Sequence, residues 1–412
     1  MKKILTHIIL PLVLSFAAIP LAVAQEIAPQ AASGRENLPP EARANVTPNP
    51  PKARASIAFW NLENFFDYFD DATSSSDSDF SSFGSRHWTK KRFTAKCNLI
   101  GKTLLWMGES LHSGNSSIAG GNNGTEGCEE PPDVVGVAEV ENGFVLNRLV
   151  NSAVLRKMDY SYVHYDSPDR RGIDVALLYR RSRLRVLSSR AVHILSDEGE
   201  VMPTRDILYV EAEFIWGVGK APGAENAQLL GEEKTSGESP LKIHLIVNHH
   251  PSKYSGSKAS EHSRELAMQA LKDVCDSIRS VSNAPIVAMG DFNDSPSGEQ
   301  FKLIEGVLEN LAAPLSARCE GSIRFNGRWE LIDHFLVDFP SSSASPHAKD
   351  SSLAPMKGPQ SMPPTPQMQV LQPPFLMTRD RTHTGFKPQR TYTGPRYTAG
   401  VSDHLPILLL LP

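Results

Sequence analysis

Short, mostly apolar runs recur along the chain and are separated by polar stretches. They predict strands near 56–60, 133–140, 173–180, 184–195, 207–216, 241–249, 284–290 and 331–337. Between them lie segments with a helical period, predicting helices over 90–107, 142–157, 258–281 and 298–310. The clearest is 258–281, where Leu266, Ala270, Leu271, Val274, Cys275 and Ile278 recur at spacings of three and four. Many strands with interspersed helices predict an α/β sandwich and not a helical bundle. No internal repeat is visible.

Five stretches fall outside this pattern. Residues 1–24 begin with Lys2 and Lys3, continue through an apolar run and end at Ala22-Val23-Ala24. That pattern predicts a cleaved export signal, because Pro11 and Pro20 interrupt the run and the end carries a small-x-small site. The expected destination is periplasmic or extracellular, with no stable membrane anchor after cleavage. Residues 25–54 hold six prolines and predict an extended or disordered leader. Residues 109–131, 217–240 and 339–378 look like low-complexity insertions. The last carries nine prolines and a Ser cluster. The domain itself is expected over 55–412.

Composition changes this picture little, and charge changes it more. With 42 Lys+Arg against 46 Asp+Glu, the 412-residue chain has a formal net charge of −4. Without 1–24 the balance is 40 against 46, a net charge of −6. An acidic balance excludes a passive nucleic-acid coat protein, which holds phosphates with a large Lys/Arg excess. It leaves open an enzyme that binds phosphate through a metal. Export would place Cys97, Cys128, Cys275 and Cys319 in an oxidising compartment, where disulfides and buried thiols are both open readings.

Several common chemistries lack their motif. Lys96 stands where a phosphate-binding loop ending in Gly101-Lys102-Thr103 needs its first Gly. There is no Gly-x-Ser-x-Gly elbow, His-Glu-x-x-His helix or dinucleotide glycine fingerprint. What remains is a series of polar residues at the ends of apolar strands. Asn61 follows Ile57-Ala58-Phe59-Trp60, with Glu63 two residues on. Glu139 ends Val134 to Ala138, and His249 and His250 end Ile243 to Asn248. Asp291 and Asn293 follow Ile286 to Gly290. Asp333 sits within Leu331 to Leu336, while Asp403 and His404 precede Leu405 to Leu411. Each alone reads as a turn, cap or solvated residue. Their recurrence at strand ends points to one shared site.

Those residue types suit hydrolysis of a phosphate ester with a hard metal. Mg²⁺ or Mn²⁺ prefers carboxylate and amide oxygens, so Glu139 with Asn61 or Asp403 would hold it. A carboxylate such as Asp291 can orient and deprotonate water. Asp333 paired with His404 gives a fixed imidazolium for a non-bridging oxygen. Neutral Asn293 can hold water or phosphate without adding negative charge.

At this point the chain resembles the endonuclease/exonuclease/phosphatase superfamily of DNase I-like metal-dependent phosphoesterases. The likeness rests on Phe59-Trp60-Asn61-Leu62-Glu63-Asn64, Val137-Ala138-Glu139-Val140-Glu141-Asn142 and Asn248-His249-His250-Pro251-Ser252. It continues in Met289-Gly290-Asp291-Phe292-Asn293-Asp294, Ile332-Asp333-His334 and Ser402-Asp403-His404. The motifs run in the family's order from about Ala55 to Leu411. The segments Asp166 to Asp174 and Thr391 to Tyr397 further resemble a bacterial secreted subgroup.

The resemblance implies a four-layered α/β sandwich, with two packed mixed sheets flanked by helices and a site at one edge. It implies that Asn61, Glu139, Asp403 and Glu63 take the metal. Asp291 would position water with support from Asn293, and His404, paired with Asp333, would contact phosphate. His249 would match a phosphate-contacting histidine, and His250 has no assigned role. Arg170, Arg171, Arg381, Lys387, Arg390 and Arg396 either rim the site against flanking phosphates or are solvated loop charges. The stretch 339–378 lengthens a connection that must still bring Asp333 and His404 together.

The expected function is an exported Mg²⁺- or Mn²⁺-dependent phosphodiesterase, monomeric, with nucleic acid as substrate and little sequence preference. A phospholipid or phosphomonoester hydrolase on the same fold is the alternative within the class. For a membrane substrate, Phe65-Phe66-Asp67-Tyr68-Phe69 is the candidate contact, although core or pocket wall is the plainer reading. A non-catalytic binding module is the alternative outside the class.

Overall fold

The computed structural model describes residues 55–71, 74–112, 130–215, 240–253, 257–340 and 366–411. Residues 1–24, the leader 25–54, Cys128, and the bulk of the three expected insertions (113–129, 216–239 and 341–365) lie outside them. Two six-stranded mixed sheets form the body. The first runs, in spatial order, Gln367–Val370 (β13), Ile407–Leu411 (β18), Ala55–Phe65 (β1), Val134–Val140 (β2), Asp174–Arg180 (β4) and Tyr160–His164 (β3). The second runs Leu184–Val192 (β5), Ile207–Phe214 (β6), Leu241–His249 (β7), Ile286–Asp291 (β8), Asp333–Asp338 (β12) and Glu309–Asn310 (β9). Within 339–378, therefore, β13 is regular structure, paired antiparallel with β18.

Each sheet has one parallel pair, β1 with β2 and β7 with β8. A parallel pair needs a long crossover. Lys90–His112 (α2) lies within the first crossover and Ser257–Arg279 (α4) within the second. Alternation along β1 shows how the layers form. Ile57 and Phe59 join the cluster between the sheets, while Ala58, Trp60 and Leu62 join the cluster beneath α2 and Gly143–Val150 (α3). A third cluster packs Ala267, Met268, Leu271, Val274, Cys275 and Ile278 of α4 against Ile246, Ile286 and Ala288 of the second sheet. The result is the four-layered sandwich.

Boundaries differ from expectation where local signals compete. The expected helix 298–310 is only a 3₁₀ turn over Glu299–Leu303, because Gly306 turns the chain at φ +76° and leads it into β9. The expected helix 142–157 stops at Val150. Short helices Ser75–Asp79 (α1) and Ala313–Ala317 (α5) were not predicted. Nor were three small hairpins: Ile323–Phe325 with Arg328–Glu330 (β10–β11), Met377–Arg379 with Phe386–Pro388 (β14–β15), and Tyr392–Thr393 with Arg396–Tyr397 (β16–β17). No described helix is long and apolar enough to cross a membrane. Cys97, Cys275 and Cys319 are free thiols, the first two buried in different clusters. Burial pushes both of those thiols up to about 12.

Candidate active site

Asp291 closes β8 and Asp333 opens β12, and the two stand opposite each other in register. His404, just before β18, reaches them from the other sheet. Its Nδ1 lies 2.8 Å from Asp333 Oδ2, and its Nε2 lies 3.7 Å from Asp291 Oδ2. The ring is held from behind. Trp60 Nε1 donates to the His404 carbonyl at 2.9 Å. Ser402 Oγ accepts the His404 N–H at 2.9 Å and donates to the Asn61 carbonyl at 2.6 Å. Burial alone would lower the imidazole's pKa, but the carboxylates of Asp333 and Asp291 outweigh it and raise it well above the ordinary value. His404 is thus held as an imidazolium.

Asn61 ties the two sheets together, its Nδ2 donating to Asp291 Oδ2 at 3.0 Å. Just beyond it the pairing of β1 with β2 slips, and the backbone turns left-handed at Glu63 (φ 48°) and Asn64 (φ 52°). Glu139 (φ 60°) and Asn293 (φ 52°) do the same on β2 and after β8. Of nine described non-glycine residues with positive φ, these four gather at one edge. Each costs about 1–3 kcal/mol, and such strain collects where side chains must be aimed. Here it aims Glu139, whose Oε2 accepts the Asn64 N–H at 2.8 Å and lies 3.5 Å from Arg171.

His249 fills the space between the carboxylates. Its Nε2 is 3.7 Å from Asp291 and 4.0 Å from Glu139, and its buried Nδ1 has no partner. Burial first, then the cations Arg205 and Arg171, keep it neutral. Burial also pushes the Asp291 carboxyl up to about 7, against the lowering effect of His404.

The structure therefore brings Asn61, Glu139, His249, Asp291, Asp333, His404 and Arg171 together. Glu63 and Asp403 form a neighbouring group instead. Glu63 Oε1 accepts from Arg390 Nε at 2.7 Å and Oε2 from the Thr391 N–H at 2.9 Å, while Arg390 also lies 3.1 Å from Asp403. Both Glu63 oxygens accept from protein donors, as do both Asp291 oxygens and Asn61 Oδ1, the last from the Glu63 N–H at 2.9 Å. Burial, with Asp403 adding, raises the Glu63 carboxyl to about 7.

Asn293 donates its backbone N–H to Asp291 Oδ1 and one Nδ2 hydrogen to the His250 carbonyl, each at 2.9 Å. It steadies Asp291 and the loop after β7, with its second Nδ2 hydrogen uncommitted to any described residue. Arg170 is exposed and makes no hydrogen bond or ion pair with a described residue. His250 is buried edge-on against Phe292, with Nδ1 at 2.9 Å from Gln300, and burial pushes it down to about 3. It is a packing residue.

Sequence reasoning missed several supports. Lys96 is fully buried, donating to the Glu63 carbonyl at 2.6 Å and to Thr391 Oγ1 at 2.9 Å. Burial lowers its ammonium to about 8. Arg205 links Asp169 at 3.1 Å to the His250 carbonyl at 2.6 Å. Neither belongs to a motif, and a helical period read for apolar residues passes over Lys96.

The donor set fits a hard divalent cation. Glu139 and Asp291 offer carboxylate oxygens and Asn61 an amide oxygen. Glu139 Oε1 has His249 as a neighbour only beyond hydrogen-bond reach, and Asp333 Oδ1 is buried without a partner. No cysteine contributes among the described residues.

The model of the endonuclease/exonuclease/phosphatase family matches residues 56–216 and 226–412. No curated protein matches the chain. Among solved structures it is similar to an endonuclease/exonuclease/phosphatase family protein from Bacteroides thetaiotaomicron, with 14% identity over 87% of this chain and 95% of that one and a TM-score of 0.45. It is similar to D. rerio TDP2 complexed with single strand DNA product, at 13% identity, 86% and 97% coverage and a TM-score of 0.44. A Bacteroides thetaiotaomicron mannosyl-6-phosphatase is similar at 13% identity, 86% and 98% coverage and a TM-score of 0.44.

Proposed function

The chain belongs to the endonuclease/exonuclease/phosphatase family, and on that premise we propose that it is an exported, Mg²⁺- or Mn²⁺-dependent phosphodiesterase that hydrolyses nucleic acid with little sequence preference. The observation that carries the reading is the chain Asp333–His404–Asp291 facing Asn61 and Glu139 across the junction of the two sheets. Glu139, Asn61 and Asp291 would hold the cation, which when bound offsets negative charge on the phosphoryl oxygens.

The protein's own groups do the rest. Asp291, fixed by Asn61 and by the Asn293 N–H, orients a water in line with phosphorus and takes its proton as the ester P–O bond opposite breaks, the departing oxygen taking a proton from solvent. His404 donates from Nε2 to a non-bridging oxygen, and Asp333 keeps its imidazolium charged and correctly turned. His249, neutral and buried, offers Nε2 to a second phosphoryl oxygen. Arg171 sits beside Glu139, where it adds positive charge to the phosphate's approach. Export rests on the pattern of residues 1–24, and N-terminal sequencing of protein recovered outside the cytoplasm checks cleavage after Ala24.

Incubating the purified chain with plasmid DNA and total RNA in Mg²⁺ tests the activity, with parallel samples in EDTA and with His404→Ala. Degradation abolished in both controls is the expected result. Intact nucleic acid in every tube would sink the nuclease reading and direct the screen to phospholipid and sugar-phosphate esters.

A further inference from the structure

Beside the catalytic cluster lies a cavity of about 890 Å³, large for one small phosphate ester. Glu63, Asn64 and Asp403, which neighbour the catalytic cluster, line it together with the β14–β15 and β16–β17 hairpins. Its charge is opposite to that of the chain as a whole. Arg390 is spent on Glu63 and Asp403. Arg324 braces the walls through the carbonyls of Phe386, Thr384 and Gly327, and Arg86 does so through the Gly394 carbonyl. Lys387 faces Asp380. That leaves Arg379, Arg381 and Arg396, all exposed, all lining the cavity, and none paired with a described residue. Three unpaired guanidinium groups held along one cleft are arranged for more than one phosphate.

The cavity also presents a flat apolar face. Phe325 is 52% exposed at the tip of the β10–β11 hairpin. Ile323, two residues earlier, bridges to His404. At roughly 3.3 Å per strand residue, Phe325 lies about 7 Å along the backbone from Ile323, the residue bridged to His404. Tyr397 lines the same cavity, with the Arg92 guanidinium 4.3 Å from its ring centre. Unpaired arginines and an exposed ring lining one cavity beside the reacting centre match a strand whose bases are free to stack. Sugar or inositol phosphates have no flat ring for Phe325, and a duplex keeps its base faces covered.

Building on the nuclease reading above, we propose that this cavity binds the non-reacting part of a single-stranded nucleic acid: Arg379, Arg381 and Arg396 take flanking phosphates, and Phe325 stacks a base next to the scissile group. Binding and turnover are measured separately, so that this subsite and the activity can fail independently. Fluorescence anisotropy of labelled dT12 in EDTA, over 25–200 mM NaCl, gives Kd and its salt dependence. Each single Arg→Ala variant should lower the slope of log Kd against log salt by about 0.7, and the triple variant by about 2. Phe325→Ala should weaken binding by roughly fivefold or more and leave the slope unchanged. Wild-type melting temperatures for all variants establish that they fold.

Affinity and slope unchanged in the triple variant would overturn the subsite even if DNA is cleaved in Mg²⁺. Loss of the slope in that variant, with no cleavage by wild type, would keep the subsite and sink the nuclease reading. A dT12·dA12 duplex bound as tightly as dT12, and weakened equally by Phe325→Ala, would overturn the single-strand assignment.

Discussion

Asp333→Asn isolates what the imidazolium contributes. The substitution keeps the size of the side chain and leaves the pairing of β12 with β8 intact, but removes the charge 2.8 Å from His404 Nδ1. His404 then loses the stronger of its two carboxylate neighbours and no longer donates to phosphate as a charged group. A hydrogen bond to a charged partner is worth about 1.5–3 kcal/mol. At about 1.4 kcal/mol per factor of ten, kcat should fall by roughly 10- to 150-fold. Stability should hold, because Asp333 faces Asp291 across the strands and its Oδ1 is already buried without a partner. Initial rates on a labelled oligonucleotide at saturating Mg²⁺, with a thermal melt of the same preparation, give both quantities. A kcat within twofold of wild type at an unchanged melting temperature would refute the role given to the Asp333–His404 pair. Should the variant melt early, His404→Gln, which leaves Asp333 in place, supplies the same comparison.

Acid should destabilise the fold through its buried neutral histidines. His334 stacks on Phe292 and Phe301, with Nε2 at 3.0 Å from the Leu331 carbonyl and Asn310 Nδ2 near Nδ1, and burial pushes it down to about 4. The unfolded ring takes a proton near pH 6.5 and the folded ring refuses it, so the contribution of His334 to stability falls as pH drops from about 6.5 to 4. This amounts to about 3 kcal/mol from His334, and His250 acts in the same direction. The raised carboxyls of Asp291 and Glu63 oppose this trend over the same range. The contribution is therefore read as the difference between wild type and His334→Gln in urea unfolding at pH 7, 5.5 and 4, and a difference that does not shift as pH falls would contradict it. Gly290→Ala would place a Cβ 2.3 Å from the Asn248 carbonyl oxygen, forcing β7 and β8 apart next to Asp291. It should cost about 1–3 kcal/mol in thermal melts and lower kcat as well, and a wild-type kcat would show that Asp291 tolerates the shift. Trp60→Phe leaves the His404 carbonyl without its donor and should cost about 1–3 kcal/mol in the same melts, while an unchanged melting temperature would mean the bond is not needed.

What was legible in the sequence follows from which interactions are local. Apolar runs such as Val134 to Ala138 must be strands buried on both faces, and they are. Polar residues at their ends were visible because they break an apolar pattern. Gly290 before Asp291 was visible too, and its reason appears only in the structure: β7 leaves no room there for a side chain. The partners of Glu63 were not legible, because Arg390 and Thr391 are more than three hundred residues away and sit in the link between two hairpins too short to show a period. Lys96 was hidden for another reason. A buried lysine breaks the pattern of its own helix, and only the carbonyl of Glu63 and the hydroxyl of Thr391 explain it. Asn293 was placed in the right neighbourhood, but its tie to the His250 carbonyl was not legible, because spacing places a residue without saying which partners its donors find.

The placement of these groups makes the core part of the site. Asn61 and His404 arrive on the first sheet, and Asp291, Asp333 and His249 on the second. The contacts that matter, Asn61 to Asp291 at 3.0 Å and His404 to Asp333 at 2.8 Å, both cross between the sheets. Neither sheet can set those distances alone. They are set by the thickness of the layer between the sheets, where Phe59 and Met289 pack against Gly136 so closely that a Cβ there would meet Met289 Sδ at 2.6 Å. Close-packed interiors transmit small volume changes as displacement. A methyl group added in this layer would move Asp291 relative to Asn61, in a site where an error of 1 Å costs about a hundredfold in rate. The hydrophobic layer therefore holds the sandwich together and also fixes the separation of the groups that act on phosphorus.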